Sequence, residues 1–208
     1  MKKILLLSVV VLLAACNGDA PSTATTPTKA ATTATNTSTT KVTVPANNTK
    51  PAPAAASNAL KPATLADLGD YKPKNEGWHV LLDEAYKESE KTGKPIMANF
   101  TGSDWCGWCK RLDKSVFHTP GFDKWADDNV VLLELDFPRR FKLPNAVAQQ
   151  NRGLQQTFGV RGYPTVWLFD LAKDDTGKFN ISALGKTGYT KTFDEFKNVM
   201  TGYMSARG

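Results

Sequence analysis

Histidine and cysteine are scarce in this 208-residue chain, at two and three copies. A structural zinc site ordinarily draws on four Cys or His ligands. Cys106, Cys109, His79 and His118 do not stand at finger spacing, so neither a metal nor another cofactor is expected. Long apolar runs are missing too. The longest, from Ile4 to Ala15, falls short of the ~20 residues a membrane-spanning helix needs. Between residue 17 and Leu60 large apolar side chains are almost absent, and Thr, Ala, Pro, Asn and Ser dominate. Such a segment cannot offset the entropy of ordering itself. A strong charge of one sign is lacking where it would matter: from Asp70 onward there are 20 Lys and Arg against 18 Asp and Glu. The formal net charge of +6 therefore describes mainly the N-terminal part, and no nucleic-acid partner is expected.

What is present is concentrated in Asp104-Trp105-Cys106-Gly107-Trp108-Cys109-Lys110. Two cysteines with two residues between them can close a disulfide within one helical turn and reopen it when a thiolate attacks. The apolar run from Pro95 to Phe100 has no helical spacing and reads as a buried strand, whereas Leu112, Val116 and Phe117 are spaced along one face of a helix. The cysteines thus fall where a strand hands over to a helix. Unpaired N–H groups at a helix start favour a nearby negative charge, which points to Cys106 as the thiolate. Cys109, one turn further in, is then the more buried, resolving thiol. A structural disulfide and half of a zinc site remain the alternative readings of the pair.

The chain divides into three parts. Lys2 and Lys3 ahead of the short apolar run read as a signal peptide over residues 1–15. Leu13-Ala14-Ala15-Cys16 resembles the lipobox of bacterial lipoproteins, which implies a lipidated Cys16; an ordinary secretory signal with an incidental cysteine is the alternative. Residues 16–70 read as a disordered tether with a root-mean-square reach of roughly 40 Å. Residues 71–208 are enough for one domain. In it, Trp78, Leu81, Leu82, Ala85 and Tyr86 recur at helical spacing before Gly93. Phe122 and Trp125 share a face in a short segment after Pro120. Residues 130–137 are the clearest strand, and 144–158 read as a helix. Residues 166–169 and 179–184 read as a hairpin about Asp174-Asp175-Thr176-Gly177. Thr192 and Glu195 form a capping box for a last helix. This order of elements gives an α/β domain with a mixed sheet flanked by helices on both faces.

Trp105-Cys106-Gly107-Trp108-Cys109-Lys110, together with Gly159-Val160-Arg161-Gly162-Tyr163-Pro164-Thr165 and the strand after it, resembles the thioredoxin-like family. The likeness runs from about Trp78 to Met204, and it is nearest to members exported by bacteria with an aromatic residue inside C-x-x-C. The resemblance implies a thioredoxin-like fold, a cis Pro164 lying against the disulfide, and thiol:disulfide exchange at Cys106 and Cys109. Trp105, Gly107, Trp108 and Tyr163 would support that site. The aromatic residues could serve packing alone or offer an apolar surface to unfolded polypeptide. Thioredoxins carry a buried acid in the strand before the motif; here that place falls to Asn99, which cannot take up a proton at neutral pH. A water, Asp83 or Glu84 is the expected substitute, while Asp104 is expected to face water. Arg139, Arg140, His79 and His118 read as loop, cap or surface residues.

The expected function is that of a lipid-anchored envelope oxidoreductase facing the periplasm, reductase or isomerase rather than oxidase, with the outer membrane favoured. Its expected partners are protein disulfides and a membrane thiol electron donor, with Cys16 as the membrane anchor. A tethered binding or redox-sensing module without turnover is the alternative, and copper handling by the two thiols a third.

Overall fold

Six buried residues, Ile96 to Thr101, form the central strand β1 of the computed structural model, which describes residues 62–207. The signal segment, Cys16 and the tether up to residue 61 lie outside the described residues. Strand β2 (Val131–Asp136) runs parallel to β1 on one side. On the other side β3 (Thr165–Lys173) runs antiparallel, followed by β4 (Phe179–Thr187), giving the order β2-β1-β3-β4.

Side-chain alternation along β1 divides the interior into two layers, because successive residues of a strand face opposite ways. Ile96, Ala98 and Phe100 pack beneath α1 (Leu82–Thr92) and α4 (Asn145–Thr157), with Leu133, Leu135, Phe158 and Phe169. Met97 faces the opposite layer, which is built from α2 (Gly107–Leu112), a π-helical stretch over Asp113–Phe117, α3 (Phe122–Asn129) and α5 (Phe193–Ser205). Phe122 and Phe196 are fully buried there, with Phe117, Trp125 and Trp78 ringed about them. Each such side chain contributes about 1.5–3 kcal/mol by leaving water.

Several boundaries differ from the expectation. Trp78 and Leu81 precede α1 instead of lying on it. The His79 N–H donates to the Leu132 carbonyl at 2.9 Å, and the Glu134 N–H donates to the His79 carbonyl at 2.8 Å. Extended pairing with the otherwise open edge of β2 satisfies these backbone groups and outweighs the helical spacing. Trp78 then enters the α3 layer while Leu81 packs on Val147. Helix α1 starts at Leu82, whose N–H donates to Gln150 Oε1 at 3.0 Å, and it closes on Gly93 at φ 69°. Ala63, Leu68 and Tyr71 also pack around Val80, Leu81 and Val147, so folded packing reaches back before residue 71. Strands β3 and β4 each extend to nine residues, several more than their apolar cores suggested. At α5 the Thr192 hydroxyl accepts the Glu195 N–H as expected, but the Glu195 carboxylate returns to the N–H of Lys191, not of Thr192.

Candidate active site

Strand β1 delivers the chain to Gly102, where a tight turn begins: the Gly102 carbonyl accepts the N–H groups of Trp105 and Cys106 at 3.2 and 2.8 Å. Cys106 is the N-cap of α2 and is bonded to Cys109, with a Cα–Cα distance of 5.3 Å. Its Sγ accepts the Cys109 N–H at 3.1 Å, so one donor of the helix start already points at this sulfur. Both residues are buried, at 6 and 4% exposure, so the expected difference in burial between them is slight. What separates them is their surroundings: Trp108, on the outer side of the motif, is 53% exposed.

The second motif arrives at the same end of the sheet. Antiparallel register sets Phe100, at the end of β1, opposite Thr165, at the start of β3. The Tyr163–Pro164 bond just before β3 is cis. Tyr163 meets the Trp105 indole edge to face at 5.9 Å, and its hydroxyl accepts from Gln155 at 2.7 Å. The Trp105 Nε1–H donates to the Phe137 carbonyl at 2.8 Å, while the Arg139 guanidinium lies 3.7 Å above the Trp105 ring. Asp104 does more than face water. Its carboxylate accepts the N–H groups of Arg139 and Arg140 at 3.0 and 2.5 Å. Despite some desolvation, those donors hold its carboxyl below the usual range. Asp104 and Trp105 therefore bind the cysteine turn to the loop after β2. On the solvent side Trp108 pairs with Tyr189 at 5.0 Å, and Arg111 lies 4.6 Å from the Trp108 ring. This leaves an aromatic face beside the disulfide.

Beneath the disulfide, Cys109 lines a narrow cavity with Asn99, Thr101, Ser103 and Glu134. Lys74, Asn75, Lys110 and Asp113 complete the lining, with Lys74 and Lys110 on its exposed side, the cavity mouth. Asn99 and Glu134 are register partners across β1 and β2, which places their side chains on the same face. Glu134 is 2% exposed, and burial, reinforced by the charge of Asp136, pushes its carboxyl up from 4.5 to about 7 even though the Lys74 N–H donates to it at 2.8 Å. Asn99 Oδ1 is buried without a hydrogen-bond partner.

A model of the thioredoxin-like domain matches residues 82–203. The chain belongs to the thioredoxin-like family. Among curated members, the disulfide bond reductase DsbH of Chlamydia pneumoniae is 29% identical over 106 residues, 51% of this chain and 64% of that protein. The thioredoxin-related protein DsbJ of the same organism is 28% identical over 108 residues, 52% of this chain and 30% of that one. The chain spans less than two thirds of either relative's length. A solved DsbH oxidoreductase superposes with a TM-score of 0.51 at 24% identity, covering 65% of this chain and 92% of that one, which is a likeness of fold.

Within this thioredoxin-like domain, the structure brings Trp105, Cys106, Gly107, Trp108, Cys109, Tyr163 and Pro164 to one end of the sheet. The two proposed stand-ins for a buried acid are elsewhere: Asp83 pairs with Lys173 and Lys87, and Glu84 with Lys87, on α1 in the opposite layer. His79 is bonded to Glu88 at 2.5 Å, and His118 ends the π-helical stretch beside Asp113. Glu134 is the residue that sequence reasoning missed. Its signal was a lone carboxylate inside the apolar run from Val130 to Leu135; the register with β1 is what sets it on the Asn99 face.

Proposed function

We propose that this protein is a cell-envelope thiol:disulfide oxidoreductase that works through Cys106 and Cys109. The carrying observation is the Cys106–Cys109 disulfide at the start of α2, with Cys106 Sγ accepting a backbone N–H beside an exposed aromatic face. In the reduced protein the same N–H stabilises a Cys106 thiolate. That thiolate attacks one sulfur of a substrate disulfide; the substrate bond breaks, its other sulfur leaves as a thiolate, and a mixed disulfide forms. The Cys109 thiolate then attacks Cys106 Sγ, releasing the substrate's second thiol and restoring the internal disulfide. Two electrons pass from the domain to the substrate, and a dithiol donor returns them.

Trp108, Tyr189, Trp105 and Tyr163 give an extended polypeptide an apolar bed next to the reacting sulfur. Gly107 adds no side chain next to Cys106, so Trp108 is the one side chain set between the two cysteines. The activity for which DsbH is named, disulfide bond reduction, favours reductase over oxidase for this chain. Lipidation at Cys16 and a tether of some fifty residues would keep the domain at a membrane, facing the periplasm and most simply on the outer membrane, with a membrane thiol donor as its source of electrons.

Replacing Cys109 with Ala removes the resolving thiol. Mixed disulfides between Cys106 and envelope proteins should then accumulate and vanish in the Cys106→Ser variant. If Cys106 stays reactive towards iodoacetamide yet traps nothing, exchange with protein substrates is refuted. The exposed Trp108–Tyr189 pair also suits a module that binds without turnover. Retained partner binding with no reduction of insulin disulfides would select that reading.

A further inference from the structure

Resolution of a mixed disulfide requires the buried Cys109 thiol to lose a proton, and bulk water does not reach Cys109, 4% exposed, from the solvent side. Cys109 lines the cavity beneath the disulfide, which offers the proton a way out. Three carboxylates lie near it. Asp113 accepts from the Lys74 ammonium and from Asn75 Nδ2. Asp136, outside the cavity lining, accepts from the Ser103 N–H, the Ser103 hydroxyl and the Phe137 N–H. Both are occupied as structural acceptors. Glu134 accepts backbone N–H groups but, unlike the two aspartates, bonds no side chain among the described residues. It lines the cavity with Cys109, receives backbone N–H groups from Lys74 and Asn75, and is paired in register with Asn99.

We propose that Glu134 takes the Cys109 proton during resolution and that Asn99 Oδ1 receives the Cys109 S–H while the protein is reduced. The inference rests on the disulfide-exchange reading given above. The step balances. Cys109 S–H gives its proton to the Glu134 carboxylate, directly or through one water held in the cavity. The thiolate so formed bonds to Cys106 Sγ as the bond from Cys106 to the substrate sulfur breaks, and the departing substrate thiolate is protonated by solvent. Glu134 then releases its proton through the cavity mouth. When a dithiol reduces the domain, the same proton travels the other way.

The two placements support each other. Asn99 Oδ1 is a buried acceptor without a donor in the disulfide form, a cost that a Cys109 thiol removes once the disulfide opens. Glu134, lifted to about 7 by burial, can both hold and release a proton near neutral pH. The charged and titratable groups around it are Asp136 on its own strand face, Tyr71 from the segment before α1, Asp113 in the cavity lining, and Lys74 and Lys110 at the cavity mouth. The two lysine ammoniums are engaged elsewhere, Lys74 with Asp113 and Lys110 with the Asp104 carbonyl, so Glu134 is not locked as a salt-bridged carboxylate.

The test uses the full-length reduced protein, loaded at Cys106 with a glutathionylated peptide, and follows closure of the Cys106–Cys109 disulfide from pH 5 to 9. Glu134→Gln should slow closure about a hundredfold at pH 7, at the low end of the 10²–10⁴ range of general acid–base catalysis, with recovery at high pH. Its rate of Cys106 alkylation should equal that of the wild type. Adding Asn99→Asp to Glu134→Gln should restore closure by returning a carboxylate to the same cavity. Unchanged closure in Glu134→Gln, with the wild-type pH profile, overturns the proposal. A measurement on the wild type needs no variant to fold: the carboxyl ¹³C titration of Glu134 should shift between the disulfide and dithiol forms, because two coupled sites share their protons. Identical titrations overturn the proposal. Loss of the oxidoreductase reading looks different, since the wild type itself would then fail to exchange with any protein disulfide.

Discussion

Burying a carboxyl as deeply as Glu134 makes the stability of the whole domain depend on pH, and Glu134→Gln isolates that dependence. Burial raises this group from 4.5 to about 7. One pH unit is worth about 1.4 kcal/mol, so the gap corresponds to about 3 kcal/mol. The folded protein holds this proton more tightly than the unfolded chain. Its stabilising contribution is therefore complete below about pH 4.5 and is lost as pH climbs through 7. Glutamine keeps an oxygen to accept the Lys74 N–H, now at 2.8 Å, and carries no proton to lose. Denaturant titrations of the oxidised full-length protein and its Glu134→Gln variant at pH 4, 6 and 8 give the stability difference at each pH. That difference should move in favour of the variant by about 3 kcal/mol from pH 4 to 8. Any constant cost of the new amide cancels in the comparison. Curves that stay parallel across the range would show that Glu134 is ionised at little cost, and the burial argument would be wrong.

Other expectations follow from single contacts. A Cβ at Gly102 would stand 2.5 Å from the Trp105 ring; Gly102→Ala should displace the indole, break its bond to the Phe137 carbonyl and cost about 1–3 kcal/mol, visible as a changed near-ultraviolet tryptophan signal. An unaltered signal would refute that packing. Phe122→Ala, in the middle of the aromatic layer, should destabilise the domain by about 3–5 kcal/mol in urea titration; a loss below about 1 kcal/mol would mean that the layer re-forms without it. Trp108→Ala should leave stability within about 0.5 kcal/mol, slow reduction of a protein disulfide several-fold and leave reduction of a small aromatic disulfide unchanged; equal effects on both substrates would remove Trp108 from substrate contact. Asp104→Ala should speed amide exchange at Arg139 and Arg140, whose N–H groups it now holds, and unchanged protection would contradict the bracing role.

The fold was legible where patterns were strong and local. The branched run from Val130, the alternation from Phe179 and the Thr192 start signal each led to a real element. Trp78 misled because a helical period is cheap to satisfy over nine residues, whereas the pairing of His79 with β2 depends on a strand more than fifty positions away. The cysteine turn and the proline turn could be read from residue types alone. Glu134 could not, because its role comes from lying in register with Asn99, and register between parallel strands joined by a long crossover is not written in either strand. Asp104 was misjudged for a similar reason: its partners are the backbone N–H groups of a loop some 35 residues away, and backbone donors leave no trace in composition.

The extended segment at His79 has a further effect on how this domain meets other chains. By adding one rung beside Leu133 it covers the middle of the β2 border, and β4 forms the opposite border of the sheet. A foreign strand seeking to template onto β4 would dock beside Lys178 and Lys186 and against a ladder already kinked by the register shift at Leu168 and Phe169. Positive charge and a bent ribbon are two obstacles to runaway stacking at that border.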